Sequence, residues 1–351
     1  MEIFPFKGYI PDLSKISFDD AFYQHMRENF NEVLSQSVFK PADNLPCYYI
    51  LEIQDHRHTS TGLIALTSMD EYMEDSILRH EHTIAVKEKL HRTLHAARKA
   101  MIKPAALLMH KNAALQQILS ECKLNSQPIL VIKFPDHQTM QRLWKINSPV
   151  LIMKITKIFL TKVHSAIIAD GHHRFASLAH VHSAQHPKSI LSIYFAPQEM
   201  QVSTFYRIIK KLNAESYQAV LDRMKKKSIG WKEVDRIQSK PGIIHLLCQD
   251  KIFRFKLKVK NKAPIHLNFS KYVLGPVFNI RDESKSKRIK YVEYPANDEE
   301  HKLILEKHSK AFIIILPLLT AHQILVNKKI LPPKSTMFTP RIINGLVVVP
   351  V

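Results

Sequence analysis

Glycine is scarce in this chain, which contains seven glycines among 351 residues. An average protein uses glycine at about 7% of its positions. Glycine-rich phosphate loops of the G-x-G-x-x-G and G-x-x-x-x-G-K-[ST] types need two glycines within about five residues. No two glycines here are that close, so the sequence excludes a Rossmann fingerprint, a P-loop and a protein-kinase glycine loop. Any phosphate group must therefore be bound by a different kind of site.

Cysteine and long apolar runs are scarce as well. Cys47, Cys122 and Cys248 are far apart, which excludes C-x-x-C zinc or redox motifs and gives no reason to expect disulfides. The longest apolar run, residues 311–319, is interrupted by Pro317 and is too short for the roughly 20 residues of a membrane-spanning helix. The first residues lack the pattern of a signal peptide. These absences predict a soluble cytoplasmic protein without a membrane partner.

Basic residues are abundant: 51 Lys and Arg stand against 31 Asp and Glu, a formal net charge of +20. Such a charge fits nucleic acid, acidic lipid or a phosphorylated ligand. The lysines and arginines are nevertheless dispersed in small clusters, at 225–227, 256–262 and 285–290. Dispersed clusters favour solvated basic faces over one binding surface.

Apolar runs of strand length alternate with helical patterns along the first part of the chain. Residues 47–53 and 62–67 are β-rich and flank a polar turn, which predicts a hairpin. Residues 87–101 are strong helix formers, and Pro104 closes that segment. Further strands are predicted at 105–109, 127–134 and 165–169, with a helix at 175–186. This order predicts a mixed α/β fold.

The composition changes after about Asn213. The segment IFRFKLKVK alternates apolar residues with Arg254, Lys256 and Lys258, which predicts a strand with one solvated face. A helix is predicted at 299–308 and a strand at 311–316. The sequence therefore predicts two domains, 1–214 and 215–351, the second an α+β lobe.

The most informative stretch is IIADGHHRFAS, residues 167–177. An apolar strand runs into Asp170 and Gly171, and a helix then begins with His172, His173 and Arg174. The first N–H groups of a helix lack internal partners and carry the positive end of the helix dipole, so an anion docks there without a glycine-rich loop. Arg174 would add a bidentate phosphate donor. The alternative is an ordinary capped helix with a surface arginine and two solvated histidines.

The second stretch is RHEHT, residues 79–83. In an extended segment His80 and His82 would lie on one side and Glu81 on the other. Glu81 could act as a general base, and the two histidines could ligate a metal. The pattern is not H-E-x-x-H, and a surface loop holding two of the chain's twenty histidines is the alternative. No metal site is predicted.

A third stretch, PPKST at residues 332–336, combines two prolines with a lysine and two hydroxyls. The prolines fix an extended path, and Lys334 could face an anion. A structural lid or brace is the alternative for this segment.

Five boxes resemble, in order, those of the bacterial and archaeal "domain of unknown function" family number ten-fifteen. They are IFPFKGYIPDL, TGLIALTSMDEYMEDSILRHEHT, ADGHHR, YRIIKKL and ILPPKSTMFTPRIINGLVV. The D-G-H-H-R box of that family in turn resembles the phosphate box of the ParB and sulfiredoxin superfamily, which includes free-serine kinases. The resemblance implies a ParB/sulfiredoxin-like mixed sheet with a second lobe. It also implies that residues 170–174 bind phosphate and that residues 80–83 form the family's H-E-H-T box.

The resemblance implies a nucleotide-dependent phosphotransferase, or small-molecule kinase, acting on the hydroxyl of a small metabolite such as free serine. ATP or ADP with Mg²⁺ would be bound by residues 171–174 and Lys334. Glu81, His82, Asp170 and His172 are the candidate catalytic residues. Glu81 would take the hydroxyl proton, and Asp170 or a histidine would help to place the metal.

A second hypothesis belongs to another class. The +20 charge and the lack of a P-P-Y-D box after Leu13 favour a non-catalytic nucleotide-binding or nucleic-acid-associated module of the ParB type. Glu81 distinguishes the two hypotheses, because a kinase needs a carboxylate within reach of the phosphoryl group and a binding module does not.

Overall fold

The chain is described from a computed structural model. The structure describes residues 1–17, 22, 32, 37–56, 58–82, 100–134, 138–181, 189–210, 216–238, 240–259, 263–294, 298–327 and 329–350. Two compact units divide the chain. The first consists of Met1–Gln201, Leu325–Asn327 and Pro340–Val351, and the second of Val202–Ile324 and Lys328–Thr339.

The division falls after Gln201, earlier than the sequence-based boundary at residue 214. The reason is that the chain already joins the second sheet at residue 205, before its composition becomes basic. The two C-terminal segments of the first unit, Leu325–Asn327 and Pro340–Val351, are too short to be assigned from a change in composition.

The strands are numbered in chain order. They are β1 Ile3–Phe4, β2 Tyr9–Pro11, β3 Phe39–Pro41, β4 Tyr48–Gln54, β5 Thr59–Ser68, β6 Ile77–Arg79, β7 Ala100–Met101, β8 Ala105–Met109, β9 Leu130–Phe134, β10 Thr139–Ile146, β11 Ala166–Asp170, β12 Ser189–Phe195, β13 Gln201–Ser203, β14 Phe205–Lys210, β15 Ser228–Val234, β16 Ile244–Cys248, β17 Lys251–Leu257, β18 Ile289–Glu293, β19 Ala311–Ile315, β20 Met337–Thr339 and β21 Val349–Pro350.

The helices are α1 Asp70–Met73, α2 Ala113–Asn125, α3 Pro149–Lys162, α4 His172–Val181, α5 Tyr217–Lys226, α6 Ile265–Phe269, α7 Gly275–Phe278, α8 Asp298–Lys307 and α9 Ala321–Val326. A 3-10 turn spans Pro197–Glu199, and a π-helical turn, Ser270–Leu274, joins α6 to α7.

The first unit is built on a mixed sheet with strand order β6-β11-β8-β12-β5-β4-β10-β9, in which β1 also pairs with β5. The pairs β6–β11 and β8–β12 are parallel, and β4 and β5 form the predicted antiparallel hairpin. Leu115 and Leu119 of α2, Ile155 and Phe159 of α3 and Phe175 of α4 belong to the buried cluster on this sheet. The periodic apolar positions of these helices therefore form the core.

The second unit is built on an antiparallel sheet with strand order β15-β17-β16-β19-β14-β18. On β17, Phe253, Phe255 and Leu257 are buried whereas Lys256 is exposed, so the predicted solvated face is confirmed. Val220 and Met224 of α5 and the stretch from α6 to α7 cover one face of the sheet. Ile304 and Leu305 of α8 pack on the cluster of the other face.

Most of the predicted elements are confirmed, and the fold is of the mixed α/β class with a second α+β lobe. The predicted helix at 87–101 lies outside the described residues except for its end. There Ala100 and Met101 form β7 and pair with β21, because the apolar C-terminal strand offers them backbone partners. Residues 182–186 of the predicted helix at 175–186 also lie outside the described part of the chain.

Candidate functional site at the start of helix α4

Two strands of the first sheet end at the same edge. The parallel pairing of β6 with β11 places Arg79 opposite Ile168, so His80 follows the end of β6 beside the last residues of β11, which ends at Asp170. The antiparallel strand β8 places Ala106 opposite Asp170, which brings Lys103 to that edge as well. The predicted proximity of the RHEHT and ADGHHR segments is therefore confirmed.

Gly171 makes the turn between β11 and α4. Its φ is +111°, which L side chains rarely adopt, and a Cβ there would lie 2.8 Å from Arg174 Nη2 and 3.0 Å from Ala105 Cβ. The backbone N–H groups of Arg174 and Phe175 donate to the Gly171 carbonyl, at 2.9 and 3.1 Å. Since these bonds begin the helix, the N–H groups of residues 171–173 precede its internal ladder. The predicted strand, turn and helix N-terminus are confirmed.

Asp170 lies between two cations. Its Oδ2 accepts from Arg174 Nη2 at 3.1 Å and lies 3.2 Å from Lys103 Nζ. Loss of solvation raises the pKa of this carboxyl, but Lys103 and Arg174 outweigh that effect and hold the pKa well below its usual range. Asp170 is therefore ionised at neutral pH.

Arg174 is already engaged within the protein. Its Nη1 donates to the Lys103 carbonyl at 2.6 Å and its Nη2 donates to Asp170. Both terminal nitrogens of the guanidinium therefore link β11 to the residues that precede β8. The predicted bidentate phosphate contact would have to replace these bonds. In the observed geometry Arg174 positions Asp170 and the Lys103 backbone.

Two buried imidazoles lie behind the helix start. His80 is 2% exposed and its Nδ1 donates to the Ile168 carbonyl at 2.6 Å. The rings of His80 and His172 lie 4.7 Å apart, edge to face. Burial lowers the pKa of His80 to about 4, and burial with the neighbouring His80 lowers the pKa of His172 well below its usual value. Both rings are therefore neutral at pH 7.

His172 has unused hydrogen-bonding capacity. The residue is 7% exposed, and within the described part of the chain its buried Nε2 has no hydrogen-bond partner. Buried polar atoms are normally paired with protein or water, so this nitrogen is a candidate contact for a ligand or an ordered water.

Glu81 reaches the same cluster through His80. Its Oε2 lies 3.9 Å from His80 Nε2, and its side chain is 17% exposed. His82 is exposed whereas His80 is buried, so the two histidines do not share one environment. The segment forms an isolated bridge at Glu81, and His82, the last described residue of the segment, belongs to no strand. Thr83 lies outside the described residues.

Lys334 belongs to the second unit. Its ammonium lies 4.7 Å from the centroid of the Phe205 ring, and the neighbouring Ser335 hydroxyl donates to the Pro332 carbonyl at 2.7 Å. Ser335 and Thr336 are buried, so the segment holds itself in place. A nucleotide contact by Lys334 remains a prediction.

Lys103 is the site residue that the sequence did not reveal. It is 30% exposed, and burial is the largest cause that lowers the pKa of its ammonium, with Asp170 opposing the change. A lysine two residues before a predicted strand is unremarkable in one dimension. Only the antiparallel pairing of β8 with β11 brings it beside Asp170.

The fold and this edge define a class of protein: a mixed α/β unit with a basic helix N-terminus at the end of a sheet, joined to a second α+β unit. The chain belongs to the family described as "Protein of unknown function (DUF1015)", whose pattern matches residues 11–316. No curated protein matches the chain.

Three solved structures are similar to the chain. A conserved hypothetical protein from Pyrococcus furiosus has 16% identity and a TM-score of 0.43, over 80% of this chain and 94% of that chain. A mutant free serine kinase in complex with ADP has 14% identity and a TM-score of 0.45, over 81% and 92%. Staphylococcus aureus SbnI with a C-terminal truncation has 11% identity and a TM-score of 0.43, over 79% and 82%.

Among the described residues, no helix is long and apolar enough to cross a membrane. The same residues contain no group of three or more His, Cys, Asp or Glu side chains arranged to hold a metal ion.

Proposed function

We propose that this protein is a nucleotide-dependent phosphotransferase that acts on the hydroxyl of a small metabolite. The observation that carries the proposal is the convergence of His80, Glu81 and Lys103 on the N-terminus of α4. A helix start supplies donors for phosphate oxygens, and the ammonium supplies charge. A carboxylate near that start supplies a base. These are the parts that phosphoryl transfer requires.

The phosphate is held by the N–H groups of residues 171–173 and by Lys103. In the structure Lys103 is paired with Asp170 at 3.2 Å. An arriving phosphate competes with Asp170 for this ammonium, so binding exchanges one anion for another without uncovering an unpaired cation. Arg174 keeps its bond to the Lys103 carbonyl and holds the cation-bearing segment in place.

Glu81 acts as the base. The substrate oxygen attacks the terminal phosphorus, the bond from that phosphorus to the bridging oxygen breaks, and the shortened nucleotide leaves with the bridging oxygen. The hydroxyl proton passes to Glu81. The rings of His80 and His172 are neutral and therefore add no positive charge beside Glu81.

ATP or ADP is the proposed phosphoryl donor, and free serine is the first acceptor to test. The described residues of this site do not offer a set of oxygen ligands for Mg²⁺, because the Asp170 carboxylate is already paired with Lys103 and Arg174. Mg²⁺ bound to the nucleotide phosphates fits this donor set better than a resident ion. No step here depends on a metal held by the protein.

The alternative is a nucleotide-binding module without catalysis. The engagement of both Arg174 Nη groups within the protein favours it, because the predicted phosphate fork is then absent. In this case the N-terminus of α4 binds a nucleotide and Glu81 has no chemical task.

One experiment separates the two. Calorimetric titration with ATP and ADP, with and without Mg²⁺, is run beside a phosphate-transfer assay with serine and other small hydroxyl compounds. Binding with turnover supports the phosphotransferase, and turnover lost in Glu81→Gln with binding retained assigns the base. Binding without turnover on any acceptor supports the module. No nucleotide binding contradicts both.

A further inference from the structure

A second polar cluster is buried in the second unit. Arg207 lies in the middle of β14, between Tyr291 of β18 and Ile314 of β19, and is fully buried. Because alternate residues of a strand share a face, Arg207 lies on the same side of the sheet as Ile209. That side is the one covered by α6, the π-helical turn and α7.

The guanidinium of Arg207 is poorly satisfied. Its Nε lies 3.6 Å from Glu283 Oε2, which is longer than a hydrogen bond. Within the described part of the chain, none of its three nitrogens has a hydrogen-bond partner. A buried guanidinium with five unused N–H groups is strongly unfavourable unless something else accepts from it.

Glu283 is largely used by other donors. Ser270 donates to its Oε1, and Tyr291 donates to its Oε2 at 2.7 Å. The carboxylate therefore balances the charge of Arg207 without bonding to it. The Arg207 Cζ also lies 5.6 Å from the centroid of the Tyr291 ring, which stabilises the cation but takes up none of its N–H groups.

His266 is a second buried side chain whose nitrogens are not satisfied by the described residues. It is 1% exposed, and neither of its ring nitrogens has a hydrogen-bond partner among the described residues. Burial, followed by the charge of Arg207, lowers the pKa of His266 to about 3. His266 and Ser270 are four residues apart on one helical stretch, so they lie on the same face. The buried cluster thus contains a neutral imidazole, which lies four residues before Ser270, and a guanidinium beside Glu283.

A solvent cleft is lined by Ser270, the residue that donates to Glu283. Its volume is about 830 Å³, and it is lined by Ala263, Leu267, Asn268, Ser270, Lys271, Arg281 and Lys329. Arg207, Glu283 and His266 are not among the lining residues that the structure describes. Three of the seven lining residues are cationic and none is acidic, so the cleft attracts anions. The π-helical turn begins at Ser270, and such turns occur often at functional sites.

We propose that the second unit binds an oxyanion, the phosphate or carboxylate group of a small ligand, which enters through this cleft and is received by the guanidinium of Arg207. A carboxylate or phosphate accepts two parallel bonds from a guanidinium, which is the geometry that the unused Nη1 and Nη2 offer. His266 donates or accepts one further bond as a neutral ring. Glu283 shares Arg207 with the incoming anion and limits the affinity.

The site is independent of the phosphotransferase proposal and is tested apart from it. Calorimetry uses the full chain carrying Lys103→Met, which weakens anion binding in the first unit, at constant ionic strength. The probes are inorganic phosphate and acetate, with chloride as the reference. The second unit should bind phosphate or acetate, and the stronger of the two identifies the group.

Three further variants of the Lys103→Met protein test whether Arg207 receives the anion. Arg207→Met should weaken binding at least tenfold, whereas Arg254→Met, the matched control on β17, should leave it unchanged. Glu283→Gln keeps an amide that can bond to Ser270 and Tyr291, and it should tighten binding several-fold because a competing charge is removed. This variant decides the proposal if Arg207→Met does not fold. Absent binding, equal affinity in Arg207→Met, or weaker binding in Glu283→Gln overturns the proposal.

Discussion

The imidazole rings of His80 and His172 lie 4.7 Å apart, edge to face, at the ends of two parallel strands. His80 is fixed by its bond to the Ile168 carbonyl, and His172 is fixed as the first residue of α4. The pair ties the RHEHT segment to the helix start. Glu81 therefore takes its position near the helix start from a buried neutral pair.

Stability should fall in mild acid because His80 is buried as a neutral ring. The pKa of His80 is about 4 in the folded chain and about 6.5 in the unfolded chain, so only the unfolded state takes up the proton between these values. The free energy of unfolding should therefore decrease as the pH falls from about 6.5 towards 4. At pH 5 this residue should account for about 2 kcal/mol of the decrease. Urea unfolding at several pH values measures it.

The variant His80→Gln provides the control for that measurement. Glutamine can donate to the same carbonyl but does not titrate, so the decrease in stability between pH 7 and 5 should be smaller than in the wild type. An equal pH dependence in both proteins would mean that His80 is not buried as a neutral ring.

Gly171→Ala should destabilise the protein and weaken nucleotide binding together. An alanine at φ +111° has a strained backbone, and its Cβ would meet Arg174 and Ala105. We therefore expect the free energy of unfolding to fall by about 1–3 kcal/mol. Gly242→Ala is the matched control, because Gly242 has a φ of +73° and open space around it. It should lose less stability, and nucleotide affinity should not change. Similar losses of stability and of nucleotide affinity in the two variants would contradict a specific role for Gly171 in forming the nucleotide site.

Replacing Lys103 should mainly lower nucleotide affinity, whereas replacing Arg174 should mainly lower the stability of the protein. Lys103→Met should lower nucleotide affinity about tenfold or more with little change in stability, because the lost charge faces the ligand. Arg174→Ala should lower the free energy of unfolding by about 1–3 kcal/mol, because two internal bonds are lost, and should lower affinity as a consequence. Chemical denaturation beside calorimetry separates the two. Reduced affinity with intact stability in Arg174→Ala would show direct contact with the phosphate.

Glu81→Gln should leave nucleotide affinity within about twofold and lower turnover by about 10²–10⁴-fold, because a general base is needed only when the proton moves. Glu74→Gln, in a turn of the same unit, is the matched control and should have wild-type turnover. The assay follows phosphate transfer to serine or to whichever acceptor is found. Full turnover in Glu81→Gln would exclude this residue as the base.

Several parts of the fold were predictable because they depend on neighbours in sequence. The β4–β5 hairpin follows from two β-rich runs around a polar turn, and the solvated face of β17 follows from strict alternation. The turn at Gly171 and the start of α4 follow from an apolar run that ends in Asp-Gly. The family resemblance, confirmed over residues 11–316, singled out the same two segments of the site.

Other parts depended on strand pairing, which no local pattern encodes. The antiparallel register of β8 with β11 brings Lys103 to Asp170, and the resulting bonds occupy Arg174, which the sequence alone assigned to phosphate. Burial separated His80 from His82, although their spacing suggested equivalent positions.

The sequence by itself determined the class of fold, the absence of glycine-rich phosphate loops and the strand, turn and helix start around Gly171, because each rests on residue types or on periodicity over a few residues. Only the tertiary structure decided which side chains meet at that helix, and that Arg207 lies buried in the second unit, where none of its nitrogens has a hydrogen-bond partner among the described residues. The physical reason is that charge pairing, burial and hydrogen-bond satisfaction depend on distances between segments far apart in the chain, and the pairing of strands fixes those distances.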